Sequence, residues 1–240
     1  MRKESFGRSF GAVLNLEPGL KQALRYLLPF LLIATTQAQN YPPPFPRDGV
    51  RKLFENERVV VWDALWQKDR PTPLHEHRFD QISVTLVGGK VRVTKLDGTS
   101  TTNQSEIGSI TLTTKGTVHR EEGLNEVPQH KIMVELKTAP GPEVTPGGSP
   151  IEGAVKVTEN ERVVAWDFTW KPGQRVPWHG NARASLWVFL TDGKFRSSAA
   201  GGALAAAQTA GQASYVPPTQ KSFTEEAVQG MPRAIILEIK

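Results

Sequence analysis

Three histidines are spaced for metal binding: His75, His77 and His119. Neutral imidazole nitrogens ligate Fe, Mn, Zn, Ni and Cu alike, so these residues define a site for one divalent transition metal without naming the ion. Side chains alternate between faces along a strand, so His75 and His77 point the same way. Gln81 has the same parity and joins them as a carboxamide ligand if that strand runs on without a bulge. His119 follows Gly116-Thr-Val on a later strand, which antiparallel pairing brings beside the first. Asp80 faces the other way on a regular strand. Glu121 and Glu122 bring charge close to His119, and neither is assigned as a ligand. The chain has no cysteine, which removes disulfides, thiolate zinc sites and cysteine nucleophiles. No Ser–His–Asp set, phosphate loop or motif-placed carboxylate pair accompanies the histidines.

The elements that must position these residues occur twice. Glu57-Arg-Val-Val-Val-Trp62-Asp63-Ala-Leu-Trp66 returns as Glu161-Arg-Val-Val-Ala-Trp166-Asp167-Phe-Thr-Trp170, an offset of 104 residues. The same offset carries His75, His77, Gln81 and His119 onto His179, Asn181, Ser185 and Phe223. One imidazole, one amide and one hydroxyl make a poor divalent site. The second copy is therefore read as a structural half completing a dimer-like core, or as an apolar pocket lined by Trp178, Trp187 and Phe223. The tryptophans and aspartates shared by both copies are read as packing and local hydrogen-bonding groups, and His130 as a surface residue.

Each copy reads as all-β. Short runs rich in Val, Ile, Thr and Phe alternate with turn signals. Strands are expected at 58–65, 81–86, 90–94, 109–113 and 131–136, and at 162–169, 185–190, 194–198, 213–216 and 234–239. Gly88-Gly89 and Asp192-Gly193 read as hairpin turns. The small-residue run 201–211 reads as a loose hairpin.

The segment His75-Glu-His77-Arg-Phe-Asp-Gln81, with Gly89 after it and Gly116-Thr-Val-His119 later, resembles the two cupin motifs. That pattern is a His-x-His, a glutamate three or four residues on, a glycine, then Gly-x-x-His. The resemblance covers residues 50–240. It implies two tandem cupin (jelly-roll-like) barrels after an N-terminal signal segment, with one intact and one degenerate metal motif. It also implies that His75, His77 and His119 are the imidazole ligands. Gln81 stands where the family has glutamate, so the site resembles the three-histidine cupins. Cupins include dioxygenases, isomerases, epimerases, decarboxylases, storage proteins and sugar-sensing regulators, so the motif leaves the substrate open.

The domain reading is a signal peptide at 1–38, a Pro-rich extended linker at 39–49, a metal-motif domain at 50–138, a Pro/Gly connector at 139–150 and a degenerate domain at 151–240. The signal rests on a basic stretch ending at Arg25, the apolar run 27–34 and a small-residue site at Thr36-Gln37-Ala38. It implies export to the periplasm or beyond, with no stable membrane anchor after processing. Of the formal charge of +5, the first 38 residues carry +3 (five basic, two acidic). The remainder has no basic run, so no nucleic-acid footprint is present. The first function expected is a mononuclear metal enzyme, dioxygenase-like, acting on a small organic molecule. A non-catalytic metal- or small-molecule-binding barrel and a metal-dependent isomerase or epimerase stay open. A tandem can make the barrel-to-barrel contact within one chain, so a monomer is expected, with a dimer as the alternative.

Overall fold

The computed structural model describes residues 40–139, 149–178, 183–198, 205–218 and 223–240. The segment 1–38, most of the 139–150 connector, and His179 and Asn181 lie outside the described residues. All strands belong to one body, Tyr41–Lys240.

The first half holds β1 (Val50–Glu55), β2 (Val59–Trp66), β3 (His75–Glu76), β4 (Asp80–Val87), β5 (Gly89–Lys95), β6 (Ser100–Ser105), β7 (Ile110–Thr113), β8 (Val118–Gly123) and β9 (Gln129–Leu136). The second holds β10 (Val155–Glu159), β11 (Val163–Thr169), β12 (Arg175–Trp178), β13 (Ala184–Phe189), β14 (Gly193–Ser197), β15 (Ala205–Gln208), β16 (Ala213–Val216), β17 (Phe223–Gly230) and β18 (Arg233–Ile239). The first half forms two sheets, ordered β1-β2-β9-β4-β7 and β3-β8-β5-β6. The second repeats them as β10-β11-β18-β13-β16 and β12-β17-β14-β15. This is the jelly-roll arrangement, twice.

Burial explains the apolar runs. β2 is buried along nearly its whole length, which is why it reads as continuous hydrophobics rather than alternation. Its odd-numbered residues Val59 and Val61 join Ile82, Val84, Ile132 and Val134 in a core shared with Val163, Ala165, Leu186, Val188, Ile235 and Leu237 of the second half. Its even-numbered residues Val60, Trp62, Ala64 and Trp66 face the interior of the first barrel with Val91 and Met133. The repeated tryptophans thus pack inside their own barrels, and none joins the core between the barrels. Both copies open the same way. Asn56 and Asn160 each accept two backbone N–H bonds that turn the chain into β2 and β11. Asp63 bonds Arg51 and His130, and Asp167 bonds Arg233. His130 is thus half-buried and partnered rather than a plain surface residue.

The glycine signals act differently from the expectation. Gly88-Gly89 and Asp192-Gly193 are not hairpin turns, because the strands they join lie in different sheets. They are corners where the chain crosses the barrel. A Cβ on Gly88 would meet the Ser105 carbonyl oxygen at 2.8 Å, and neither glycine of the first pair needs a left-handed φ. A close approach selects them, which local turn rules do not see. Within the small-residue run 201–211, β15 pairs antiparallel with the preceding β14, as a hairpin does, while β16 lies in the opposite sheet. β6, with the sequence STTNQS, was not expected as a strand. It has no apolar alternation and is held by full-length pairing to β5.

Candidate metal centre

The chain enters the site through Pro71-Thr-Pro73, which favours extended backbone. The Thr72 N–H donates to the Glu121 carbonyl at 2.8 Å, and the Glu121 N–H donates to Thr72 Oγ1 at 2.8 Å. This clamp sets the register that makes His75 and His119 direct cross-strand partners. The pairing continues as the His77 N–H donates to the Thr117 carbonyl at 3.0 Å. It closes at Gly116, whose φ of +82° makes the turn and whose N–H returns to the His77 carbonyl.

Three imidazoles therefore converge inside the first barrel, each buried at 2–7% exposure. Their ligand nitrogens all lie within 4.8 Å of one another. The His75 Nδ1–H donates to the Pro73 carbonyl at 2.9 Å, which leaves its Nε2 a lone pair with no protein partner. The Nε2 atoms of His77 and His119 face each other at 3.0 Å. Burial pushes His75 and His77 toward the neutral form; for His77, burial with the neighbouring imidazoles brings the pKa down to about 4. A cluster of buried imidazoles whose ring nitrogens converge fits a divalent cation. Two nitrogens 3.0 Å apart match adjacent ligands at bond lengths of about 2.1 Å.

Gln81 is reached by a different route from the one expected. β3 ends at Glu76, residues 78–79 bend, and β4 begins in the opposite sheet. The strand parity that linked Gln81 to the histidines does not apply. Cross-strand pairing nonetheless places Gln81 beside Glu135, on the same face as Ser83 and Met133, so it turns into the barrel from the other wall. It is 2% exposed and its Nε2 has no partner. Asp80 points away to Arg162 of the second half, 3.1 Å distant.

Glu121, two residues beyond His119 on β8, shares its face. Its Oε2 accepts from Trp66 Nε1 at 3.0 Å. Burial alone would raise this carboxyl; His119, His75, the Trp66 N–H and Lys131 outweigh it and hold it below the usual carboxylate range. The repeat offered a signal for it: Glu225 holds Trp170 in the same way at 3.1 Å. A second residue had no local signal. Arg47, in the segment read as a linker, lies over the Trp66 ring at 5.1 Å.

Among the described residues, the second barrel has no such cluster. Trp170, Trp178, Trp187, Phe189 and Phe195 fill it. Trp178 stacks on Phe223 with 5.5 Å between centroids and lies 4.9 Å from Trp187. These three rings pack against one another instead of lining an open pocket. The pairing also sets Trp178, rather than His179, across from Phe223, so the ungapped offset slips by one residue on β12.

No family model and no curated protein matches the chain. Solved structures do. AerE from Microcystis aeruginosa superposes with a TM-score of 0.59 at 14% identity, over 84% of this chain and 99% of that one. An oxalate decarboxylase of Lactobacillus farciminis, solved as a formate complex, gives 0.56 at 12%, over 82% of each. A cupin 2 conserved barrel domain protein from Leptotrichia buccalis gives 0.51 at 13%, over 80% of this chain and 88% of that one. At such identities the likeness is one of fold. The chain has the cupin fold, built twice in tandem.

Proposed function

We propose that this protein is an exported mononuclear metal enzyme whose first barrel performs dioxygenase-like chemistry on a small organic molecule. The observation that carries the reading is the asymmetry of the two interiors: three buried, converging imidazoles in one, packed aromatic rings in the other. His75, His77 and His119 would hold the ion, with Gln81 facing them from the opposite wall. When bound, the ion supplies a Lewis acid with positions open to a substrate oxygen and to O2. The chain's own groups do the rest. The barrel walls exclude bulk water, and Trp66 fixes one oxygen of Glu121. The other carboxylate oxygen is then able to accept or return a proton beside the histidines.

The second reading is a non-catalytic barrel that stores or senses a metal or small ligand. It is favoured by Gln81, which offers no charge to a divalent ion. Metal analysis of the untagged protein beside His77→Ala and His119→Ala tests the centre: about one metal per chain is expected, lost in both variants. Failure to load any of Fe, Mn, Ni, Cu or Zn would end the enzyme reading. Substrate-dependent O2 uptake that disappears in His77→Ala would reject the non-catalytic one. Sequencing the N-terminus of exported material tests processing, with Gln39 expected first.

A further inference from the structure

Residues 41–49 form an arm docked against the strand that brings in His75 and His77. β3 is the outermost strand of its sheet and only two residues long, His75–Glu76. Successive N–H groups of a strand point to opposite edges. On the inner edge His75 pairs with His119, and the His77 N–H reaches the Thr117 carbonyl. On the outer edge the Glu76 N–H donates to the Pro42 carbonyl at 2.9 Å. The arm therefore stands where a next strand would.

It is fastened beyond that bond as well. Phe45 is 6% exposed and packs 5.2 Å from Trp62 in the barrel core. The Arg47 guanidinium lies over the Trp66 ring and donates to the Leu65 carbonyl at 3.3 Å. The Leu65 N–H donates to the Gly49 carbonyl at 2.9 Å. Pro42, Pro43 and Pro44 lack an N–H, so the arm offers a carbonyl to β3 without presenting a row of donors to a further strand. A proline-rich segment is already extended, and docking it costs little ordering entropy. The second half supplies the contrast. Its corresponding edge strand is β12, where Ile151 is bridged to Trp178 and fully buried among the rings of that barrel. There the lead-in closes a packed core, whereas in the first half it is held against a strand of histidines.

From this we infer that Tyr41–Gly49 is a clasp, anchored by Phe45, that positions His75 and His77 for the metal. The inference deepens the metal-enzyme reading and rests on it for the effect on affinity. Metal ligands have to be held to within about 0.5 Å of their working geometry. A two-residue strand bonded on one edge has too few contacts to supply that by itself. The clasp adds a bond on the other edge and ties it to an apolar anchor inside the barrel. By linkage, what holds the ligands in place raises metal affinity, and a bound ion holds the clasp in return.

Zinc affinity of the full chain, measured by chelator competition well below the unfolding temperature, tests this. Phe45→Ala is expected to weaken zinc about tenfold or more, and Phe45→Leu to keep most of the affinity. Ile151→Ala is the control. It leaves a cavity in the second barrel, so its urea midpoint should fall while zinc affinity stays within about twofold of the parent. Zinc binding unchanged in Phe45→Ala, or weakened as much by Ile151→Ala, would overturn the inference. The parent chain gives a test free of variants, which decides the matter if Phe45→Ala does not fold. Zinc should slow hydrogen exchange of the Glu76 and Leu65 amides, both bonded to carbonyls of the arm, more than that of the β12 amides. Equal slowing would overturn the inference. The two proposals fail separately. A parent that loads no metal sinks the enzyme reading alone, and the clasp then stands or falls on whether Phe45→Ala speeds metal-free exchange at Glu76. Normal metal loading that is indifferent to Phe45 sinks this one alone.

Discussion

Gln81 and Glu225 show how one side chain sets the chemistry of each barrel. Gln81 puts an uncharged amide on the inner face of the wall opposite the three imidazoles, where a carboxylate would neutralise part of an ion's charge. Gln81→Glu is expected to raise metal affinity about tenfold, read by competition with a chelator. Unchanged affinity would mean that Gln81 does not reach the ion. Glu225 is the counterpart of Glu121, but among the described residues no imidazole or cation compensates it. Burial lifts its pKa to about 8, against the smaller opposing effect of the Trp170 N–H. Its folded pKa lies above the unfolded one, so between about pH 4.5 and 8 the folded state holds more protons than the unfolded state, and stability falls as pH rises through that window. Glu225→Gln keeps an acceptor for Trp170. It should flatten this slope and raise stability at pH 8 by a few kcal/mol (roughly 1.4 per pKa unit). Denaturant midpoints at pH 5 and pH 8 measure it; a parent midpoint that does not fall between them would count against the assignment.

Among elements, β8 carries the most. It brings His119 and Glu121 to the centre and ends at Gly123, pressed against β2. A Cβ there would sit 2.4 Å from the Trp66 carbonyl oxygen, which is backbone and cannot swing aside. Gly123→Ala is expected to destabilise by about 2 kcal/mol or more through this overlap, seen as a lower urea midpoint. A neutral effect would mean that the two strands are free to part. The same strand shows what sequence reading handles well and badly. The spacing from Gly116 to His119 announced the strand, because turn and alternation are local. The place of Gly123 was invisible, since its reason is a neighbour 57 residues earlier in the chain. Gly88-Gly89 misled for the same cause: two glycines signal a tight turn locally, while here they allow two sheets to meet at a corner.

On the scale of the molecule, two sheets pack face to face through Val61, Ile82 and Val134 on one side and Ala165, Ile235 and Leu237 on the other. Neither barrel owns this core. Ile82→Ala or Ile235→Ala should therefore cost about 2–5 kcal/mol and shift one common unfolding transition rather than that of a single half. Two separated transitions would refute the shared core. With the barrel-to-barrel face used within the chain, light scattering should report a monomer. The sequence by itself determined the all-β class, the duplication, the three histidines and the loss of their set in the second copy, because periodicity, repeats and ligand types are local properties of the chain. Only the tertiary structure decided that Gln81 comes from the opposite wall, that Trp178 replaces His179 across from Phe223, and that the supposed linker lays Arg47 over Trp66. Each of these depends on which strands become neighbours, and long-range pairing and burial set that, whatever the spacing along the chain.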